Sequence, residues 1–184
     1  KESIQKAFRS LEVGLDGLEA KNRLQEDPDL VRSKPLDMST LRLATSFRLL
    51  KVREAFLSGK SVEEIHHLTK IDPWFLDQIR SLTQISKKDS LRTLKENGFS
   101  DIQISRLLNT SENKIRLARE RELIKPSFNV VDTCAAEFVA KTPYCYSSYD
   151  YENEIKPLEG KKVIILGGGP NRIGQGIEFD YCCV

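Results

Sequence analysis

Apolar residues recur at helical spacing at the start of the chain. Ile4, Phe8 and Leu11 lie on one stripe. This spacing predicts a short amphipathic helix over residues 2–13. Gly14 is expected to end it.

Polar residues then dominate residues 26–38, which contain two prolines and are predicted to form a connection. From about residue 39 the apolar spacing is helical again. A long helix is expected to end near Gly59, because glycine adopts the left-handed backbone that closes a helix at little cost. Its predicted buried stripe consists of Leu43, Phe47, Leu50 and Leu57.

Two later helices are predicted to begin with a capping box, in which the first and fourth side chains each bond the other's free backbone N–H. The pairs are Ser61 with Glu64 and Ser100 with Gln103. Between them, Asp72-Pro73 predicts a third start, with Asp as N-cap and Pro at the first helical position. Expected buried residues are Ile65, Leu68, Phe75, Leu76, Ile79, Leu82, Ile104, Leu107, Ile115 and Ala118.

A shift of 39 residues brings these helices onto one another. It aligns Gly59 with Gly98, Ser61 with Ser100, Ile65 with Ile104, Leu68 with Leu107 and Leu76 with Ile115. We infer two related helical hairpins, each preceded by a helix. Duplication and convergence on similar caps both explain two copies, because repeat arrays usually need about three or more.

The pattern changes after residue 124. Helical periodicity fades, prolines recur, and the runs FNVV (128–131) and YCYSSYDY (144–151) are expected to be extended. The apolar run Val163 to Leu166 then leads into glycines, which predicts a strand, a loop and a helix. The predicted fold is therefore mainly α, with an extended C-terminal segment and one β-strand–loop–helix from a truncated α/β domain.

Composition limits the function classes. With 184 residues and a net charge of +2, the chain is typical of a globular protein, and no apolar run is long enough to span a membrane. Neither a secretory signal nor an initial Met is present, so a piece of a longer chain is expected. The cysteines lack zinc-ligand spacing, and their pattern favours a reducing, cytoplasmic setting. They are Cys134, Cys145, Cys182 and Cys183.

The last predicted hairpin raises a nucleic-acid hypothesis. Its second helix carries cations and an amide that a helix-turn-helix would present to DNA, namely Asn113, Lys114, Arg116, Arg119 and Arg121. Glu112, Glu120 and Glu122 dilute that positive charge. A packing hairpin with a solvated face is the interpretation that we favour.

Two other motifs carry weaker signals. His66-His67 is expected to place one ring toward solvent and one partly toward the core, with no acidic or thiol partner three or four residues further along the chain. Trp74-Phe75 is expected to be core, with an aromatic anchor for a partner as the alternative.

The terminal glycine loop carries the strongest chemical signal. A dinucleotide fingerprint needs a third glycine where this chain has Arg172, so that site is disfavoured. A bare turn near a helix start beside a guanidinium favours an anion. Close packing of a strand and a helix explains the glycines equally well.

Four segments together resemble the large chain of carbamoyl phosphate synthetase. They are SIQKAFRSLEVG (3–14), IDPWFLDQI (71–79), VDTCAAEF (131–138) and the terminal LGGGPNRIGQGIEFDYCCV. The resemblance implies an ATP-dependent ligase with two synthetic units joined by a helical oligomerisation domain. It implies that residues 1–14 end the carboxyphosphate unit, 15–159 form the oligomerisation domain, and 160–184 begin the carbamoyl phosphate unit.

The resemblance also implies what the parent chain binds. The family makes carbamoyl phosphate from bicarbonate, two ATP and ammonia from glutamine, for arginine and pyrimidine synthesis. Its members bind ATP with Mg²⁺ or Mn²⁺, receive ammonia from a glutaminase partner, and form homo-oligomers. The nucleotide and metal ligands match no segment here, so we assign no catalytic residue, cofactor or metal ligand to this chain. A carbamate-facing loop is expected at Asn171, Arg172, Gly174 and Gly176.

Overall fold

A computed structural model describes residues 1–11, 13–18, 37–139, 141, 144–150 and 152–164. Within these ranges the chain has seven α helices, one 3-10 helix and one two-stranded antiparallel sheet, which confirms the mainly α prediction. The chain divides into two compact units, residues 1–121 and residues 122–184.

All the helices of the described ranges lie in the first unit. They are α1 (Glu2–Ser10), a 3-10 helix (Met38–Arg42), α2 (Arg48–Leu57), α3 (Val62–Thr69), α4 (Pro73–Gln84), α5 (Leu91–Glu96), α6 (Asp101–Leu107) and α7 (Glu112–Arg121). We call α2–α4 the first repeat and α5–α7 the second repeat.

The prediction of one long helix ending near Gly59 is wrong, because residues 43–47 are not helical and separate the 3-10 helix from α2. Leu41 is the fully buried residue of this stretch, whereas Leu43 is 66% exposed. The Arg48 side chain donates to the Leu41 carbonyl at 2.8 Å and to the Thr69 carbonyl at 2.7 Å. It thereby satisfies a carbonyl that a continuous helix would have bonded through its own backbone.

The two repeats follow the same plan at an offset of 39 residues. The first helix of each ends at Leu57 or Glu96, the second begins at Val62 or Asp101, and the third begins at Pro73 or Glu112. Gly59 and Gly98 both have φ of +82°. The residue after each glycine donates to a carbonyl five residues back, at 3.0 Å in the first repeat and 3.1 Å in the second. These are two copies of one glycine-based helix ending.

Both predicted capping boxes are confirmed. Glu64 and Gln103 donate their backbone N–H to Ser61 and Ser100, each at 3.2 Å. Their side chains accept the serine N–H at 2.8 and 2.9 Å. Asp72 is confirmed as the N-cap of α4, where it accepts the N–H of the residue two places on at 2.8 Å.

The predicted apolar stripes are mostly confirmed. Buried positions include Phe8, Leu50, Ile65, Leu76, Ile79, Leu82, Ile104 and Ile115. Ile4, Phe47, Leu68, Leu107 and Ala118 are half-buried. The prediction is wrong for Leu11, Leu43, Leu57 and Phe75, which are each at least half exposed.

The second unit contains β1 (Ser127–Val130) and β2 (Cys145–Ser148), which confirms both extended runs. Ser127 pairs with Ser148 and Val130 with Cys145. One face of the sheet carries buried polar residues: the hydroxyls of Ser127 and Ser148 lie 3.2 Å apart, and Asn129 is also buried, whereas Tyr146 on the same face is 49% exposed. The opposite face exposes about half of Phe128.

Candidate functional site

The predicted carbamate-facing loop lies outside the described residues. Asn171, Arg172, Gly174 and Gly176 all fall there, as does the helix predicted to follow. Of the predicted strand, only Val163 and Ile164 are described; they are exposed, and residues 161–164 have no regular secondary structure. The role of this loop stays a prediction.

The predicted hairpin α6–α7 is present, but its arginines differ in their surroundings. Arg119 makes a bidentate contact with Asp101, with Nε at 2.9 Å and a terminal nitrogen at 2.7 Å from the same carboxylate oxygen. Arg116 is exposed and lies 3.7 Å from Glu120. Arg119 is therefore committed to packing within the hairpin rather than to a partner's surface.

Asp101 is the centre of a buried ion cluster. Lys95 donates to its carboxylate at 2.8 Å and to the Phe99 carbonyl at 2.8 Å. The side chains of Lys95 and Asp101 are only 7% and 12% exposed. Partly buried ion pairs with several hydrogen bonds are costly to break by removing one member.

Burial acts on both members of this pair. It lowers the pKa of Lys95, although the hydrogen bond to Asp101 opposes the shift. For Asp101, burial alone would raise the pKa, but the hydrogen bonds from Arg119 and Lys95 outweigh it and hold that pKa below its usual value. The carboxylate is therefore ionised at neutral pH.

Helix α1 and the turn at residues 13–18 dock on the second repeat through polar side chains. Gln5 and Gln103 are each 2% exposed, and the amide nitrogen of Gln103 lies 3.4 Å from the Gln5 side-chain oxygen. That oxygen accepts the Leu18 N–H at 2.7 Å. Arg9 donates to the Gly98 carbonyl at 2.9 Å. The sequence pattern does not predict this contact, because glutamines that are buried have the same spacing along the chain as glutamines that face solvent.

Two glycines permit this docking. A Cβ on Gly98 would lie 2.6 Å from the Cα of Glu2, and one on Gly17 would overlap the side chains of Gln5 and Gln103. A Cβ on Gly59, the equivalent of Gly98, would meet nothing within 4 Å. Among the described residues, the glycine of the second repeat admits another helix and that of the first does not.

The expectation that Trp74 and Phe75 are core is wrong. They are 64% and 58% exposed at the start of α4, and their rings meet edge to face with centroids 5.0 Å apart. The alternative, an aromatic anchor for a partner, remains.

The two histidines lie as predicted. His66 is half-buried and donates from Nδ1 to the Ile71 carbonyl at 2.7 Å, while His67 is exposed. That bond fastens the turn between α3 and α4. Among the described residues, no group of three His, Cys, Asp or Glu side chains is arranged to hold a metal ion.

A membrane-crossing helix needs roughly twenty predominantly apolar residues. In the described part of the chain, no helix is both long enough and apolar enough to meet that need.

Comparisons with known proteins match the whole chain. The family described as "Carbamoyl-phosphate synthetase large chain, oligomerisation domain" matches residues 1–123, and "Carbamoyl phosphate synthase preATP-grasp domain" matches residues 159–184. Relatives include the carbamoyl phosphate synthase large chains of Archaeoglobus fulgidus, Vibrio cholerae and Haemophilus ducreyi, which are 45%, 46% and 47% identical.

These three alignments cover 100% of this chain but only 17–18% of each relative, so the chain spans less than a fifth of their length. The first family match takes in α1, both repeats and the glycine helix endings described above. A match of this extent, with this identity along the full sequence, shows that the chain belongs to the carbamoyl phosphate synthetase large-chain family, in the region of its oligomerisation domain.

Proposed function

We propose that this chain is the joint between two synthetic units of an ATP-dependent carbamoyl phosphate synthetase, and that it positions those units and self-associates. The parent would make carbamoyl phosphate in the cytoplasm from bicarbonate, glutamine-derived ammonia and two ATP with Mg²⁺ or Mn²⁺, for arginine and pyrimidine synthesis. A glutaminase subunit or domain would supply the ammonia. The observation that carries this proposal is the oligomerisation-domain match over residues 1–123.

The geometry of the first unit supports a positioning role. Capping boxes and glycine endings fix the helix boundaries, and the buried contacts of α1 hold it on the second repeat. We place the carboxyphosphate unit's end at residues 1–14, the oligomerisation domain at 15–159 and the next unit's start at 160–184. On this proposal the chain alone binds no nucleotide and has no ligase activity.

For the terminal loop with Asn171, Arg172, Gly174 and Gly176, we propose that it faces the site where migrating carbamate arrives and that Arg172 stabilises this anion. Gly176 would leave the passage open. In the intact enzyme, Gly176→Phe is expected to uncouple ATP hydrolysis from carbamoyl phosphate formation, because the ring would fill the passage. Normal coupling in that variant, measured as ADP released per product, would contradict the channel role.

Self-association is tested by light scattering on the 184-residue chain across a wide concentration range. We expect the weight-average mass to rise with concentration. A monomer at every concentration would contradict self-association by this chain. DNA binding that is strong and falls steeply with salt would instead favour the helix-turn-helix alternative.

A further inference from the structure

The two repeats differ most at one pair of surface positions. Trp74 and Phe75 in α4 correspond, at the offset of 39, to Asn113 and Lys114 in α7, and all four residues are exposed. The second repeat therefore shows that the scaffold folds with polar residues at these positions. The aromatic pair is not explained by packing within its own repeat.

In the rest of the described first unit, the exposed apolar residues are single ones and do not compete with this pair. Leu108 and Leu117 in the second repeat are 38% and 47% exposed, and scattered exposures of this kind are normal on protein surfaces. Trp74 and Phe75 are adjacent, larger and in ring contact. Tryptophan is one of the residue types enriched among the few central residues that contribute most of the binding energy at interfaces.

The backbone presents these rings in a fixed position. The Asp72 side chain accepts the Trp74 N–H at 2.8 Å, and Pro73 occupies the first turn of α4. Below them, Leu76 and Ile79 anchor the helix in the core with at most 2% exposure. A pre-ordered anchor loses little conformational entropy on binding.

We propose that Trp74 and Phe75 form a docking surface for an apolar patch elsewhere in the parent large chain, in cis. The inference rests on the proposed function, because the partner surface belongs to that longer chain. The relatives matched here are more than five times as long as this chain, so they contain the polypeptide to supply it.

The area of the pair favours a partner in cis over a second copy. Each aromatic side chain buries about 150–250 Å². Together they fall well short of the roughly 800 Å² per partner of a stable interface between free proteins. Covalent connection raises the effective concentration to the millimolar range, where a small anchor is sufficient. Self-association of this chain would need a larger surface than this one.

The test uses hydroxyl-radical footprinting of the intact large chain that carries this sequence and of the 184-residue chain. Trp74 is the one tryptophan of the 184-residue chain, so its oxidation can be followed there without overlap. Burial in a desolvated pocket excludes solvent radicals. We therefore expect the oxidation rate of the peptide containing Trp74 to be at least about fivefold lower in the intact chain than in the 184-residue chain. This protection should be the same at every protein concentration.

Two outcomes overturn the proposal. Equal reactivity in both chains would mean that no other part of the large chain covers the pair. Protection that develops in the 184-residue chain as its concentration rises would assign the surface to a second copy instead. Neither outcome alters whether the intact chain makes carbamoyl phosphate, so a failure of the proposed function is recognised separately, by absent ligase activity.

A matched substitution sharpens the test. Trp74→Asn with Phe75→Lys gives α4 the residues of its equivalent in α7, so the 184-residue chain should keep its unfolding midpoint. In the intact chain the same substitutions should accelerate amide hydrogen exchange across Pro73–Gln84, because the covering surface is released. The control, Asn113→Ala with Lys114→Ala, should leave exchange in both helices unchanged. Equal effects of the two double variants would contradict a specific docking surface.

Discussion

The first and second repeats share a backbone plan but differ in what they enclose. Phe56, 8% exposed, occupies the position that Lys95, 6% exposed, occupies in the second repeat. Likewise the half-buried Val62 corresponds to Asp101, which binds Lys95. The same caps and turns therefore support an apolar interior in the first copy, and an apolar core of Leu94, Ile104 and Ile115 with an ion cluster beside it in the second. The residues at the helix ends determine where each helix begins and ends. The side chains enclosed by the helices differ in polarity between the two repeats.

The surfaces of the two repeats differ in a second way. The glycine ending of the first repeat is open, whereas that of the second lies against Glu2, and its Gly98 carbonyl accepts a hydrogen bond from Arg9. Arg106 extends this contact by pairing with Asp16 at 2.6 Å. The second repeat thus holds the N-terminal helix through polar contacts, whereas Phe8 of that helix packs in the apolar cluster of the first repeat, whose aromatic pair stays exposed. The two copies of one motif therefore make different contacts with the N-terminal helix.

The largest expected effect comes from removing the centre of the ion cluster. Asp101→Ala leaves Lys95 buried without its carboxylate and releases Arg119, so it should lower the free energy of unfolding by about 3–5 kcal/mol. The control at the equivalent position, Val62→Ala, removes part of a half-buried apolar side chain and should cost about 1 kcal/mol. Urea unfolding at pH 7, followed by far-UV circular dichroism, measures both. Equal losses in the two variants would mean that the cluster contributes no more than its apolar counterpart.

Sequence patterns predicted the parts of this fold that depend on local chemistry. Ser61, Ser100 and Asp72 were identified as helix starts because a short oxygen-bearing side chain there satisfies a free backbone N–H. Tertiary choices were not accessible in this way. Phe75 fits the apolar stripe of α4 yet lies on the solvent side, and Gln103 is polar yet buried against α1. Such assignments depend on which neighbour arrives, and residues far along the chain determine that.

The candidate site shows the same division. The resemblance to the large-chain family rests on short specific segments and is confirmed by the comparisons. The sequence pattern draws attention to the aromatic pair but does not predict that both rings are exposed. An amphipathic pattern indicates which apolar residues can be buried, and it does not indicate that some of them face solvent. The docking of α1 was missed altogether, since no local signal distinguishes Gln5 from a surface glutamine.

A smaller effect is expected from the two equivalent glycines. At φ of +82° any Cβ is strained, so Gly59→Ala should cost about 1–2 kcal/mol from backbone conformation alone. Gly98→Ala carries the same strain and also places its Cβ 2.6 Å from the backbone of Glu2. Forcing α1 away should add about 1–3 kcal/mol.

The same pair of variants tests how α1 is held. Hydrogen exchange across Glu2–Ser10 should rise in Gly98→Ala and stay at the wild-type rate in Gly59→Ala. If both glycine variants lose the same stability and α1 exchanges equally in both, the close approach at Gly98 does not hold the N-terminal helix.

The smallest expected effect is the acid response of the ion cluster, because a protonated carboxyl still accepts hydrogen bonds. The pKa of Asp101 is lowered from its usual 3.8 in the folded chain. The contribution of ionised Asp101 to the free energy of unfolding is therefore fully present above pH 3.8. It is lost as the pH falls through the lower pKa that Asp101 has in the folded chain. Glu64, whose pKa is lowered by the Ser61 N–H and Lys60, acts with the same sign, so total stability alone does not isolate Asp101. The difference in unfolding free energy between wild type and Asp101→Ala does isolate it, and this difference should be constant from pH 7 to pH 5 and shrink below pH 3.8. A difference that stays constant down to pH 2 would mean that ionisation of Asp101 adds nothing to the stability of the second repeat.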